Sequence, residues 1–346
     1  MRMCGIAAAC PSRTPGARVF PTIPAKGKRR GGVSLRERIL MALRRNILIF
    51  HQGAVGDFIV TWPLALGLAR VFAQSRVFYV TAGQKGALAE KALRVESVDI
   101  ESGWHQLFSS DPKLPEPAAR LLNGAQQVIS FVSGPEDLWA KNVRMLAPQA
   151  SLVTLSTVPP DSFAGHITEY LLAQLKTFPV IEAAMGQMLR SIETRGLALA
   201  RQTDKTVVLH PGAGSGKKCW PAGQFLQLVE LLKGTGRHVE AILGEVELEC
   251  WPAEQIAALS KVAEVKRPNS LVELMDMIAG ASVFVGNDSG PGHLSGIIGT
   301  PTVSVFGPKD SARWKPLGPR VTVLRGEWEA ITPRAVGDAI EWALSG

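Results

Sequence analysis

Short runs of apolar residues alternate along the chain with longer stretches in which apolar residues recur every three or four positions. The short runs are typical of buried strands and the longer stretches of helices that cover a sheet. The predicted strands are 46–50, 76–80, 97–101, 127–131, 151–155, 206–210, 238–243, 262–265, 282–285, 302–306 and 321–324. Helices are predicted between them, among them 58–71, 162–177, 181–201 and an amphipathic helix from Thr332 to Leu344. This alternation predicts an α/β fold with parallel sheets covered by helices on both faces.

The most informative turn joins the strand 282–285 to a predicted helix that opens at Ser289. Asp288 and Ser289 stand where a helix N-cap belongs, and Pro291 fits the first helical turn, where a missing N–H costs nothing. The free backbone N–H groups and the positive end of the helix dipole therefore converge on one point, which suits a phosphate. Ligands of open α/β sheets bind at this carboxyl edge of the strands.

A second glycine-rich turn follows the strand 206–210 and runs from Pro211 to Pro221. Its glycines allow the backbone to approach a ligand closely, and Lys217 and Lys218 can supply the positive charge that a diphosphate needs. The turn is not a Walker loop, because the pattern GxxxxGK[ST] is absent. The start of the chain also lacks the GxGxxG pattern of dinucleotide-binding proteins, which disfavours a Rossmann dehydrogenase.

A third turn, His51–Asp57, joins the strand 46–50 to the helix predicted over 58–71. Asp57 stands at the carboxyl end of the strand and is interpreted as the cap of that helix. A carboxylate in this place serves either as a general base or as an N-cap alone.

The ordered set of these turns resembles glycosyltransferase family 9, the lipopolysaccharide heptosyltransferase family. The matching residues are Gly56 and Asp57 with Pro63; His210–Ala213 with Lys218, Trp220 and Pro221; Gly244 with Glu247; and Asn287–Gly290 with His293 and Phe306–Pro308. The chain departs from the family pattern at Asp310 and Ser311, which replace the common Asp-Pro, and residues 85–185 carry little of the pattern.

The resemblance implies a GT-B fold, in which two Rossmann-like domains face each other across a cleft. We expect an N-terminal acceptor-side domain over 46–185 and a C-terminal nucleotide-sugar-binding domain over 186–330. The closing helix, 331–346, is expected to return to the first domain. Residues 1–45 are expected to form a separate basic extension.

The family motifs also imply roles for individual residues. Asp57 is expected to be the catalytic base, and the donor is expected to be held by a larger set of residues at the strand ends. That set is His210, Gly212, Gly214, Lys218, Glu247, Asp288, Ser289, Gly290, Gly292 and His293. Glu247 would accept hydrogen bonds from ribose hydroxyls, and no metal or other cofactor is expected to be obligatory.

Several of these residues also have a purely structural interpretation. Lys218 can be a surface charge, His293 a buried core histidine and Glu247 a helix acid in a first turn. Trp220 either walls the nucleotide pocket or belongs to the core. Lys85, Lys91 and Arg94 either meet an acidic acceptor sugar or form a solvated helix face, with the solvated face favoured. Asp99 and Glu101 resemble a metal-binding pair only superficially.

The function implied by the resemblance is inverting transfer of a sugar, with heptose from an ADP-linked donor favoured. The acceptor is expected to be a lipid-linked or surface glycan of the lipopolysaccharide-core type. One alternative is a family member with a different donor sugar or acceptor. Another is a nucleotide-sugar-binding protein without catalytic activity. The sequence predicts neither the linkage nor the oligomeric state.

Composition changes this interpretation at the amino end of the chain. Residues 1–45 hold 11 of the 38 Lys and Arg residues but one acid, whereas residues 46–346 hold 27 basic and 29 acidic residues. The pI near 9.5 therefore reflects the extension, which we expect to be disordered or to precede a start at Met41. Cys4, Cys10, Cys219 and Cys250 show no CxxC spacing. We expect a cytoplasmic protein, with peripheral contact to the inner membrane as an option and no specific binding of nucleic acid.

Overall fold

The computed structural model describes residues 45–201, 205–244, 247, 251–308 and 311–345. The basic extension predicted over 1–45 lies outside the described residues, except for Arg45. Asp310 also lies outside them.

The first sheet has five parallel strands in the order β3-β2-β1-β4-β5. They are β1 (Asn46–Phe50), β2 (Arg76–Thr81), β3 (Glu96–Asp99), β4 (Ala125–Ser130) and β5 (Ser151–Thr154). The central strands β1 and β4 are almost wholly buried because helices cover both faces of the sheet.

The second sheet has six parallel strands in the order β11-β10-β9-β6-β7-β8. They are β6 (Thr206–His210), β7 (His238–Ile242), β8 (Glu264–Lys266), β9 (Val283–Asn287), β10 (Thr302–Phe306) and β11 (Val321–Arg325). The predicted strands are thus confirmed to within a few residues. In both sheets the direction in which successive strands are added reverses at the centre. The reversal lies between β1 and β4 in the first sheet and between β6 and β9 in the second. The loops that leave these strands diverge there and leave a crevice for a ligand.

The helices of the first half follow the predicted alternation. They are α1 (Val55–Ile59), α2 (Trp62–Val71), α3 (Gly83–Leu93), α4 (Glu116–Asn123), α5 (Leu138–Leu146), α6 (Ile167–Gln174) and α7 (Pro179–Arg195), with a 3₁₀ turn at Trp104–Phe108. The single helix predicted over 58–71 is therefore wrong, because it is broken at Val60 and Thr61. Pro63 explains the break, since proline lacks an N–H and clashes with the carbonyl four residues before it.

The second half contains α8 (Ala222–Lys233), α9 (Ala253–Val262), α10 (Leu271–Gly280), α11 (Gly290–Ile298), α12 (Ser311–Trp314) and α13 (Pro333–Ser345). The last helix, α13, buries Val336, Ile340 and Ala343 in a core with α8 and the second sheet. The prediction that it returns to the first domain is therefore wrong. The apolar face of α13 packs beside α8 on the same face of the second sheet, against β9, β10 and β11.

A continuous apolar core joins the helices that lie between the two sheets. The long helix α7 packs on α2 so closely that a Cβ at Gly67 would lie 2.9 Å from the carbonyl carbon of Ala184. α11 contacts α1, and α10 contacts α3. These contacts place the carboxyl edges of β1 and β9 beside each other. Within the described ranges, no helix combines the length and the apolar character that a membrane crossing requires.

Candidate active site

Asp57 lies in the first turn of α1, as its third residue. The helix begins earlier than the sequence predicts, so the N-cap is Ala54 and the interpretation of Asp57 as the cap is wrong. The Asp57 carboxylate instead accepts a hydrogen bond from the backbone N–H of Ala54, which is the reciprocal half of a capping box. The carboxylate thus has a fixed position at the end of β1.

Two opposing effects set the proton affinity of Asp57. Burial raises its pKa above the usual aspartate value because desolvation disfavours the carboxylate, and the negative charge of Asp288 adds to this effect. The hydrogen bond from Ala54 and the positive charges of Lys218 and Lys85 lower the pKa in return. The net shift is upward, which suits a group that must take a proton.

The helix α11 packs against α1 through a close contact between two glycines. A Cβ at Gly290 would lie 3.0 Å from the Cβ of Val55 and 3.3 Å from the backbone nitrogen of Gly56. A Cβ at Gly56 would lie 3.2 Å from Cδ2 of His293. The amino end of α11 therefore lies directly against the turn that carries Asp57, and a Cβ at either glycine would have to displace its neighbour by a few tenths of an ångström.

The amino end of α11 has the form predicted for an anion site. Ser289 is the N-cap in an extended conformation, and its buried Oγ has no hydrogen-bond partner. Gly292 follows in the first turn, where a Cβ would lie 3.4 Å from the carbonyl oxygen of Asn287. The serine hydroxyl and the unpaired N–H groups of this turn are donors for a phosphate oxygen.

His293 is almost fully buried behind this turn. Burial lowers its pKa to about 4, although the charge of Asp288 opposes the shift. A neutral imidazole cannot pair with a diphosphate as a cation. The structure thus favours the alternative in which His293 is a buried packing residue of the site.

The second glycine turn is tied to the end of β9 by the buried side chain of Asn287. Its Oδ1 accepts from the backbone N–H of Trp220 at 3.0 Å, and its Nδ2 donates to the carbonyl of Pro211 at 2.7 Å. Trp220 is itself fully buried and donates its indole N–H to the carbonyl of Ile331 at 2.9 Å. It therefore belongs to the core and does not wall a pocket.

Lys218 and Asp288 form an ion pair at 2.6 Å across the two turns. Lys218 is one-third exposed and Asp288 one-tenth exposed, whereas the neighbouring Lys217 is exposed. The two lysines of this turn therefore differ in their surroundings. The pair holds an ammonium group near the amino end of α11, where a diphosphate would meet it.

Glu247 closes the other side of the second glycine turn and is nearly fully buried. Its Oε2 accepts from the backbone N–H of Gly244 at 2.7 Å. A Cβ at Gly212 would lie 1.6 Å from Oε1 of Glu247, so the carboxylate fits only because residue 212 is glycine. His210 lies beside it with its buried Nδ1 unpartnered, and burial lowers the pKa of His210 while the charge of Glu247 raises it.

A cavity of 420 Å³, the glycine-turn cavity, opens between this turn and Glu247. Its lining consists of Gly212–Gly216, Cys219, Pro221, Ala222, Glu247, Trp251, Pro252 and Gln255. It combines backbone N–H groups, a buried carboxylate and an aromatic ring, which together suit a nucleoside. Gly214 has open space around it in this cavity.

A larger groove of 610 Å³ between α8 and α9 contains none of the predicted site residues.

The first sheet carries a separate cavity of 390 Å³ at the carboxyl ends of β4 and β5, here called the first-sheet cavity. Its lining consists of Phe131, Ser133, Gly134, Pro135, Thr154–Val158 and Gln174. The Phe131 ring also lies 5.5 Å from the ring of His51, at the start of the turn that leads to Asp57. The first-sheet cavity therefore lies on the Asp57 side of the site.

Sequence reasoning missed two residues of the site, Lys85 and His51. Lys85 is buried and donates to the carbonyl of Gly53 at 2.6 Å, so the solvated helix face that we favoured is wrong for this residue. Lys91 and Arg94 are exposed as expected. The position of Lys85 directly after β2, in the first helical turn, was an available signal.

Asp99 and Glu101 make a local turn in which Asp99 Oδ1 accepts from the backbone N–H of Glu101 at 3.0 Å. A cluster with metal-ligand spacing in the described part of the chain is His238, Glu240 and Glu264. It lies at the start of β7 and β8, at the opposite edge of the sheet, and the ammonium group of Lys266 already pairs with its carboxylates.

The chain is similar in sequence to known proteins. A sequence model of glycosyltransferase family 9 (heptosyltransferase) matches residues 163–339. The chain is 28% identical over 193 residues to lipopolysaccharide heptosyltransferase 3 of Escherichia coli K12, a match that covers 52% of this chain and 51% of that protein. The match thus spans about half the length of that relative. The chain is also 24% identical to a putative glycosyltransferase of Haemophilus influenzae, over 78% of this chain and 86% of that protein.

Solved structures show the same architecture. A family 9 glycosyltransferase of Veillonella parvula superposes with a TM-score of 0.65 at 16% identity, over 88% of this chain and 98% of the other. The E. coli ADP-heptose lipopolysaccharide heptosyltransferase II gives a TM-score of 0.62 at 16% identity, with 87% and 98% covered. At such identities the likeness establishes the fold, which is the predicted GT-B arrangement.

Proposed function

The chain belongs to glycosyltransferase family 9, and we propose that it is an inverting glycosyltransferase that takes its sugar from an ADP-linked donor. Heptose is the favoured sugar, and a glycan of the lipopolysaccharide-core type is the favoured acceptor. The observation that carries the proposal is the contact between Gly56 and Gly290. This contact supports the proposal, because it brings the turn that carries Asp57 against the amino end of α11, where we propose that the diphosphate binds.

The donor is proposed to bind along the second sheet. The nucleoside would occupy the glycine-turn cavity, where Glu247 would accept from ribose hydroxyls and the turn at Gly212 and Gly214 would lie against the nucleotide. The diphosphate would lie between Lys218 and the amino end of α11, at Ser289, Gly290 and Gly292. In support of an ADP-linked donor, one E. coli heptosyltransferase of the same fold was solved with ADP and with ADP-2-deoxy-2-fluoro heptose.

The reaction is proposed to begin with Asp57. Its carboxylate would accept the proton of the acceptor hydroxyl as that oxygen attacks the anomeric carbon of the donor. The bond from the anomeric carbon to the diphosphate oxygen breaks on the opposite side of the sugar, so the configuration inverts. Lys218 and the N–H groups of α11 would stabilise the charge on the departing diphosphate.

The acceptor is proposed to lie over the carboxyl edge of the first sheet, with one sugar in the first-sheet cavity. A volume of 390 Å³ is large enough for a single sugar ring. Contact with the inner membrane and a cytoplasmic location stay predictions.

The main alternative is a family 9 transferase with a different donor sugar or acceptor. Thermal shift distinguishes the nucleotide, since a ligand at 100 times its dissociation constant stabilises the folded protein by about 2.7 kcal/mol. Under the proposal, ADP and ADP-heptose raise the melting temperature more than UDP, GDP or NAD do. A shift with NAD and none with ADP would contradict the proposal.

Turnover is tested with purified protein, a panel of sugar nucleotides and lipopolysaccharide from cells that lack core heptose. The expected result is transfer of heptose from the ADP-linked donor with inverted anomeric configuration, read by NMR of the product. Transfer from a UDP- or GDP-linked donor alone would favour the alternative. Binding without transfer to any tested acceptor would favour the non-catalytic interpretation.

A further inference from the structure

Lys85 places a buried ammonium group beneath the turn that carries Asp57. The side chain belongs to the first turn of α3 and is 9% exposed. Its Nζ lies 2.6 Å from the carbonyl oxygen of Gly53. A buried cation is costly unless its surroundings compensate it, and here a single backbone carbonyl is the hydrogen-bond partner that the geometry shows.

The helix that carries Lys85 is fixed to the first sheet. A Cβ at Gly86 would lie 2.6 Å from Oγ of Ser97 in β3, so α3 and β3 are in tight contact at this point. The backbone N–H and the hydroxyl of Ser97 both donate to Oε1 of Glu90, at 3.0 and 2.8 Å. Because α3 is anchored one residue after Lys85, the ammonium group has a defined position.

The carbonyl that Lys85 holds lies in the middle of the turn. A Cβ at Gly53 would lie 2.9 Å from Cε1 of His51 and 3.3 Å from the Cβ of Asp57. Gly53 thus packs between the buried imidazole of His51 and the Cβ of Asp57. The carbonyl that Lys85 holds therefore belongs to the residue against which the Asp57 side chain packs.

The charges around Asp57 belong to few groups. Lys85 and Lys218 are the cations that favour its carboxylate, and Asp288 is the anion that opposes it. His51 and His293 face the same turn, but burial lowers their pKa values to about 3 and about 4, so both are neutral near pH 7. Lys218 is already paired with Asp288, which leaves Lys85 as the unpaired positive charge in this group.

From this geometry we propose that Lys85 is a positioning residue for the reaction. It fixes the turn through the carbonyl of Gly53 and uses its charge to keep Asp57 ionised. It acts through Asp57 and transfers no proton itself. The inference rests on the proposed role of Asp57 as the base.

Two substitutions separate the two parts of this role. Lys85→Met removes both the charge and the hydrogen bond, whereas Lys85→Gln removes the charge and retains a donor for the Gly53 carbonyl. Lys91→Met is the matched control, because Lys91 lies on the same helix but is exposed. Circular dichroism and melting temperature establish that each variant is folded.

The first measurement needs no substrate. The carboxyl carbon of Asp57 is titrated by ¹³C NMR and identified by its loss in Asp57→Asn. We expect its pKa to rise in both Lys85 variants, because a favourable cation is gone, and to stay unchanged in Lys91→Met. An Asp57 titration that is identical in the wild type and both Lys85 variants would overturn the proposal, whatever the activity.

The second measurement is the pH dependence of turnover. The acid limb of the kcat profile should move to higher pH in both Lys85 variants. The maximal kcat should fall about 10- to 100-fold in Lys85→Met, since a small misplacement of a reacting group has costs of this order, and less in Lys85→Gln. The KM for the donor should stay constant.

A lower melting temperature with an unmoved acid limb would mean that Lys85 is structural, which also overturns the proposal. If no sugar nucleotide is turned over while the NMR titration moves, the proposed function fails but the link from Lys85 to Asp57 stands.

Discussion

The ammonium nitrogen of Lys218 lies 2.6 Å from Oδ2 of Asp288 and so joins the two glycine-rich turns of the second sheet. Lys218 follows β6 and Asp288 follows β9, and these strands are neighbours at the centre of the sheet. The pair therefore stands at the point where the winding of the sheet reverses, which is where ligands of such sheets bind. Asp288 holds the cation in the site, although its own charge opposes an anionic ligand.

Replacement of Lys218 by alanine should weaken binding of ADP. The loss is about 1.5 kcal/mol, at the lower end of the range for hydrogen bonds to charged groups, because the side chain is one-third exposed. This corresponds to roughly a tenfold higher dissociation constant in calorimetry. Lys217→Ala is the control, since Lys217 is exposed in the same turn and its loss should change little. Equal effects of the two substitutions would remove Lys218 from the donor site.

Replacement of Asp57 by asparagine should abolish the base but keep the fold of the turn. The amide oxygen can still accept from the backbone N–H of Ala54, so α1 should begin at the same residue. Turnover should fall roughly 10²- to 10⁴-fold, while the dissociation constant for ADP stays nearly constant. Asp161→Asn, at an exposed position, is the control. Full turnover in Asp57→Asn would mean that another group takes the proton.

The central strands β1, β6, β9 and β10 could be predicted from the sequence because they are short, mostly apolar runs that the fold buries on both faces. The break between α1 and α2 could also have been predicted, since Pro63 stands in the middle of the predicted helix. The position of α13 could not, because an amphipathic face shows that a helix is covered and not which sheet covers it.

The candidate donor-side residues were proposed from the order of their motifs, but the contacts between them could not be predicted in this way. Asn287 stands in the resemblance but was not among the candidate ligands, and its amide proves to connect residues 67 and 76 positions away in the chain. Lys85 was assigned to a solvated face because its partner, the carbonyl of Gly53, is 32 positions away. Periodicity along one helix carries no information about such distant partners.

The buried histidines should make the stability of the protein depend on pH. Burial lowers the pKa of His293 from 6.5 to about 4. Between these values the unfolded chain binds a proton that the folded protein does not, so the free energy of unfolding decreases as the pH falls through this window. The contribution of His293 is on the order of 3 kcal/mol.

Thermal unfolding from pH 7 to pH 4 measures this dependence. His293→Gln should flatten the fall in melting temperature, whereas His105→Gln, at an exposed position, should leave it unchanged. His51 should still contribute to the remaining slope, because burial lowers its pKa to about 3. An unaltered slope in His293→Gln would show that folding does not lower the pKa of this imidazole.

The two glycines of the second turn should differ sharply when each is replaced by alanine. At Gly212 a Cβ would lie 1.6 Å from Oε1 and 2.2 Å from Cδ of Glu247, so the carboxylate must leave its place. Its hydrogen bond to the backbone N–H of Gly244 would be lost with it. At Gly214 a Cβ would meet nothing within 4 Å.

We therefore expect Gly212→Ala to lose most of the stabilisation by ADP in a thermal-shift titration. Gly214→Ala should lose less of it, because its methyl group displaces no protein atom and meets only the bound nucleotide. Glu247→Gln adds a second comparison, since it retains the shape of the side chain but removes the charge that would accept from ribose hydroxyls. If Gly212→Ala bound ADP as tightly as the wild type, the buried position of Glu247 would have no part in donor recognition. Gly212 and Glu247 both line the glycine-turn cavity. This cavity would then have a function other than donor binding.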